Sequence, residues 1–108
     1  MISKNEKVYG LLGLSMKAGK VVFGTESCID MINKRKIKLL ILAEDSSERT
    51  INNFKQKAQD NELPVYIFGN KFELSKAIGK ENKTVLGIKD KNLAEAIKKI
   101  LDGGDVIG

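Results

Sequence analysis

The dipeptide Gly24-Thr25 stands between a short apolar run, Val21-Val22-Phe23, and a stretch with helical spacing, and that is a place where anions are held. Gly accepts a turn closed to other residues, Thr offers a hydroxyl that can cap a helix, and the free N–H groups of a first helical turn attract phosphate. Glu44-Asp45 follow a second apolar run, where open α/β sheets often bind ligands; these carboxylates could hold magnesium, or could cap the next helix, which is the commoner use of acids there. Cys28 is open to two readings. Near a helix start a thiol ionises easily, whereas on the inward face of a helix it is a small apolar filler. Lys34-Arg35-Lys36-Lys38 is either a phosphate-binding cluster or the positive end of a helix on a solvated face. Gly79-Lys80 does not make a phosphate-binding P-loop, because Leu74 stands where the first glycine should be and Glu81 follows the lysine. The chain has no His, so the commonest general base and zinc ligand is missing. With no nucleophile-base pair visible, the chain reads as noncatalytic, with no metal centre and no cofactor.

Placing these groups requires alternating helices and strands. Ser3 and Glu6 fit a capping box opening a helix over about residues 4–17, which Gly19 stops. Gly10 and Gly13 inside it each cost up to about 1 kcal/mol against Ala, which points to close packing on a neighbour. Val21 to Phe23 form a short strand, and Thr25 to about Lys34 a helix with Cys28, Ile29 and Ile32 inward. Residues 37–43 are apolar at almost every position, which suits a central strand covered on both faces. Residues 18–45 thus read as a β-α-β unit. A capping run at 44–47 opens a helix to about Asn61, with Ile51, Phe54 and Ala58 inward. Leu63-Pro64 restarts the chain in extended form, and Val65 to Phe68 read as a third buried strand. Phe72, Leu74 and Ile78 support a short helix closed by Gly79; Phe72 reads as core, with stacking on a base as its other reading. Thr84 to Ile88 form a fourth strand, and Asp90 caps a last helix on Leu93, Ala94, Ile97, Ile100 and Leu101. Buried strands alternating with helices imply a three-layer α/β/α sandwich.

A chain of 108 residues, 42% hydrophobic and with a single Pro, fits one globular domain, with residues 102–108 as a flexible tail. The net charge of +5 and isoelectric point of about 9.3 favour a polyanionic partner. Only Arg35 and Arg49 are arginines, so the basic surface is suited to neutralising phosphates more than to bidentate base reading. No apolar run approaches the roughly 20 residues that cross a bilayer, and MISKNEK lacks a signal segment, so a cytoplasmic location is expected. A monomer is the favoured oligomeric state.

The ordered series Leu11-Leu12-Gly13-Leu14-Ser15-Met16-Lys17-Ala18-Gly19-Lys20, Gly24, Leu39 to Asp45, Pro64-Val65 and Leu74-Ser75-Lys76-Ala77-Ile78-Gly79-Lys80 resembles the bacterial YlxQ group of the ribosomal L-seven-Ae superfamily, which includes kink-turn RNA binders. The resemblance implies a mixed four-stranded sheet in the sandwich and a noncatalytic role in binding structured RNA, ribosomal or other. Kink-turn binders carry Gly-x-Asn-Glu-x-x-Lys at the start of the second helix. Here the positions read Gly24-Thr25-Glu26-Ser27-Cys28-Ile29-Asp30, so the glycine alone is kept and the kink-turn signature is degenerate. The apolar loop that precedes the last strand in that family is the polar Lys80-Glu81-Asn82-Lys83, while Lys71 matches a lysine held near the RNA. The RNA-binding residues that follow from the charges and the resemblance are Lys20, Gly24, Thr25, Glu26, Ser27, Lys34, Lys71, Lys80 and Lys83. A protein-interaction module of the same fold that has lost RNA binding is the alternative.

Overall fold

The computed structural model describes residues 2–103; from residue 104 on, the expected tail lies outside the described residues. Ser3 opens the first helix, α1 (Lys4–Lys17), with the expected capping box. Its Oγ accepts from the Glu6 N–H at 3.1 Å, and the Glu6 carboxylate accepts from the Ser3 N–H at 3.3 Å. There follow β1 (Val21–Phe23), α2 (Thr25–Asn33), β2 (Leu39–Leu42), α3 (Glu48–Asp60), β3 (Val65–Ile67), α4 (Lys71–Ala77), β4 (Val85–Ile88) and α5 (Lys91–Leu101). None of the described helices is long and apolar enough to cross a membrane.

The sheet order is β1-β4-β2-β3. β4 runs antiparallel to both neighbours, with Gly87 opposite Val22 on one side and Leu40 on the other. β3 runs parallel to β2, with Ile41 opposite Tyr66, so the sheet is mixed. The β-α-β unit read over residues 18–45 is therefore a split one. β1 and β2 point the same way, but the last strand of the sequence lies between them and takes the hydrogen bonds of both.

All four residues of β2 are fully buried, and successive side chains enter opposite layers. Leu39 and Ile41 pack with Val8, Leu12, Leu74, Ala94 and Ile97 from α1, α4 and α5; Leu40 and Leu42 pack with Cys28, Ile32, Phe54 and Ala58 from α2 and α3. This is the α/β/α sandwich. Regular pairing covers Leu39–Leu42, with Ile37 and Ala43 buried at its flanks and Lys38 exposed.

Two other expectations change. β3 is an edge strand with β2 as its neighbour, so Val65 and Tyr66 are half-buried and Ile67 is exposed. Phe72 is 68% exposed and outside the core. α4 starts at Lys71, and two residues subtend about 200° on a helix, so burying Leu74 turns Phe72 outward. The close packing proposed for α1 holds at Gly13, where a Cβ would meet the Ala77 carbonyl oxygen of α4 at 3.2 Å. At Gly10 the corresponding space is open.

Candidate nucleic-acid interface

Because β4 runs against its neighbours, the chain leaves β1, β2 and β3 at the end of the sheet where it enters β4. Four connections meet there: Gly24, Glu44-Asp45, Gly69-Asn70 and Lys80 to Thr84.

Gly24 occupies the N-cap of α2 with φ 91° and ψ 154°, a left-handed backbone that a side chain would resist. Its N–H donates to the Val85 carbonyl at 3.0 Å, which fixes the helix start against β4. Thr25 was expected as the cap and is instead the first helical residue, because the glycine takes the turn. No side chain caps the helix. Thr25, Glu26 and Ser27 are exposed, and their N–H groups form the positive end of a helix nine residues long.

Lys71 opens α4 on the same end. Its backbone N–H donates to Asp45 Oδ1 at 2.8 Å, while Asn70 Oδ1 accepts from the Glu73 N–H at 2.8 Å. Asp45 thus serves as a tie between two connections, and α3 is capped by Ser47, whose Oγ accepts from the Thr50 N–H at 3.1 Å. The Lys80–Lys83 loop is held from within. Ser75, buried in α4, accepts from the Lys83 N–H at 2.8 Å and donates to the Lys83 carbonyl at 3.1 Å. The loop returns two ammonium groups to the residue before Gly24: Lys80 Nζ and Lys83 Nζ lie 5.2 and 5.5 Å from the Phe23 ring centre. Such cation–π contacts stabilise a charge without neutralising it, so both lysines keep their attraction for anions.

Gly24, Thr25, Glu26, Ser27, Lys71, Lys80 and Lys83 therefore share one end of the molecule. Lys20 and Lys34 do not. Lys20 precedes β1, and its carbonyl accepts from the Lys89 N–H at 2.8 Å, beyond the far end of β4. Lys34 ends α2 and pairs with Asp30 at 3.2 Å. The Lys34 to Lys38 cluster thus belongs to the far end as well, with the Lys38 N–H on the Ile88 carbonyl at 2.7 Å. Cys28 is fully buried, its thiol directed to the Val22 and Val85 carbonyls at 3.6 and 3.9 Å. Burial pushes that thiol up to about 12, which removes the reactive-thiol reading.

Sequence reasoning missed Phe23 and Ser75. Phe23 looked like an ordinary strand residue, although its place immediately before Gly24 was a signal. Ser75 gave none, because a buried serine inside a helix reads as filler until the loop that it bonds is known.

Residues 6–98 match the model of the ribosomal protein L7Ae/L30e/S12e/Gadd45 family. The chain belongs to that family. Within it, the chain is 36% identical over 98 residues to the RNA-binding protein YlxQ of Enterococcus faecium, covering 91% of this chain and 94% of that one. It is 32% identical over 94 residues to RNA-binding protein YlxQ of Bacillus subtilis, covering 87% and 94%. A solved Bacillus halodurans protein of unknown function superposes with a TM-score of 0.87 at 29% identity, covering 89% of this chain and 97% of that one. Family membership and the observed sandwich agree with the resemblance seen in the sequence.

Proposed function

We propose that this chain is a noncatalytic RNA-binding protein that holds structured RNA, ribosomal or other, against the sheet end built from Gly24, the first turn of α2, Lys71 and the Lys80–Lys83 loop. The observation that carries this reading is the convergence of a helix N-terminus without a side-chain cap and three lysines at one end of the sheet. Two relatives over most of its length, named as RNA-binding proteins, support it. Phosphate oxygens accept from the N–H groups of Thr25 to Ser27, where no rigid side chain stands in the way, and Lys71, Lys80 and Lys83 neutralise the neighbouring phosphates. Glu26 and Ser27 are exposed in the same first turn and can accept hydrogen bonds from base or ribose edges. Lys20 and Lys34, at the opposite end, contribute only to the long-range field. With Glu26, Ser27 and Asp30 in place of Asn, Glu and Lys, a standard kink-turn is a weak ligand.

The test is titration of structured RNA at several salt concentrations. Log K falls steeply with log salt, and Lys71→Ala or Lys83→Ala each reduces the slope by a little under about one unit. Lys20→Ala leaves affinity nearly unchanged. An absence of RNA binding even at low salt overturns the reading.

A further inference from the structure

We infer that Phe72 is a stacking platform for one unpaired nucleotide of the bound RNA. Phe72 is the aromatic member of the exposed large apolar side chains among the described residues, and its ring belongs to neither buried cluster. It lies at a groove of about 350 Å³ whose other walls are Lys71, Ser75, Lys76, Lys80, Glu81 and Asn82, three cations against one acid. Lys76 Nζ stands 5.9 Å from the ring centre, yet the residue stays 68% exposed, so the ring is accompanied by a cation and still open to solvent. An aromatic face beside ammonium groups matches a nucleotide, whose base is a flat π-surface and whose phosphate is an anion. An acidic or purely apolar partner would use one half of this arrangement and not the other.

The groove is continuous with the interface already described, and the inference rests on that RNA-binding reading. Lys80 lines the groove and also stands over Phe23, and Lys71 lines the groove from the start of α4. A phosphate held by Lys80 places the adjoining nucleotide at the rim of the groove. Duplex RNA keeps its bases stacked on one another, so the platform selects loops, bulges and ends. Asn82, with a donor and an acceptor, is the rim residue suited to the edge of the base.

Two RNAs with the same stem, one a hairpin closed by an unpaired loop and one a blunt duplex, are titrated against wild type, Phe72→Ala, Phe72→Leu and Phe72→Trp. The side chain is exposed, so these variants fold. Phe72→Ala and Phe72→Leu should bind the loop RNA about tenfold more weakly, as loss of one base-aromatic stack predicts, and bind the duplex unchanged. Phe72→Trp should keep the affinity. Because the chain contains no other Trp, fluorescence of the introduced indole should be quenched by the loop RNA and not by the duplex. Wild-type binding that is untouched by Phe72→Ala overturns the platform and leaves the RNA-binding reading intact. Full activity of Phe72→Leu, or an indole unquenched by bound loop RNA, overturns stacking in favour of a plain apolar contact. A wild type that binds neither RNA overturns the parent reading and the platform with it.

Discussion

Gly87 holds an inner strand open for Ile37. A Cβ at that position would come within 2.5 Å of Ile37 Cδ1 and 3.2 Å of its Cγ2, so the missing side chain is the space that the isoleucine fills. Ile37 is the residue that leads the chain into β2, and it is buried in the layer shared with α2 and α3. Gly87→Ala should therefore cost about 1–3 kcal/mol through overpacking, measured by denaturant unfolding. Ile37→Val removes the nearest methyl, and the double variant should lose less than the sum of the two single changes. Additive losses would mean that the two side chains do not compete for this space. At Cys28 the expected effect depends on pH. An ordinary thiol ionises near 9, whereas this one stays protonated until about 12, so above pH 9 the unfolded chain loses its proton first. The contribution of the buried thiol is fully present below pH 9 and is lost as pH rises toward 12. The stability difference between wild type and Cys28→Ala should shrink between about pH 9 and pH 12. A constant difference would separate thiol ionisation from folding.

At the scale of elements, α2 is where charge and backbone compete. Its first-turn N–H groups favour an anion, while Glu26 already places a carboxylate in that turn and Asp30 spends its own on Lys34. Replacing Glu26 by Asn, Ser27 by Glu and Asp30 by Lys restores the residue types of the kink-turn signature. The triple variant should bind a standard kink-turn more tightly in a gel-shift titration, by roughly 1–3 kcal/mol for each contact that reads a base edge. Unchanged affinity would leave the polar Lys80–Lys83 loop as the larger obstacle. The elements themselves were largely legible in the sequence, because capping residues and apolar periodicity are local. Ser3 with Glu6, Ser47 and Asp90 mark helix starts that the structure confirms. Strand neighbours are not local. Nothing in residues 65 to 67 says that one side has no strand beside it, whereas the strand Val21 to Phe23, already read between Lys20 and Gly24, was enough to set those two residues at opposite ends of the sheet. Phe72 was misplaced for a related reason, since its direction depends on where α4 begins to the residue, and that start is set by Asn70 and the Asp45 tie from another connection.

At the scale of the whole molecule, cations collect at both ends of the sheet, with different company. One end has Lys71, Lys80 and Lys83 beside the start of α2; the other has Lys20, Lys38 and Lys89 tied through backbone hydrogen bonds around the end of β4. The second group adds to the attraction felt by a distant polyanion, and neutralising it by Lys20→Ala with Lys89→Ala should slow association more than it speeds dissociation, as followed by stopped flow. Equal effects on both rates would indicate direct contact there.

The position of β4 also governs when the molecule can come into being. A ribosome delivers β1, β2 and β3 before residues 85–88 exist, yet β1 reaches the rest of the sheet only through β4. Until that last strand emerges, β2 and β3 can pair, whereas β1 and the start of α2 have no partner strand to hold them. The surface proposed to meet RNA is therefore assembled late, only once residues 85–88 have been synthesised, and a nascent chain stalled before Val85 would lack it.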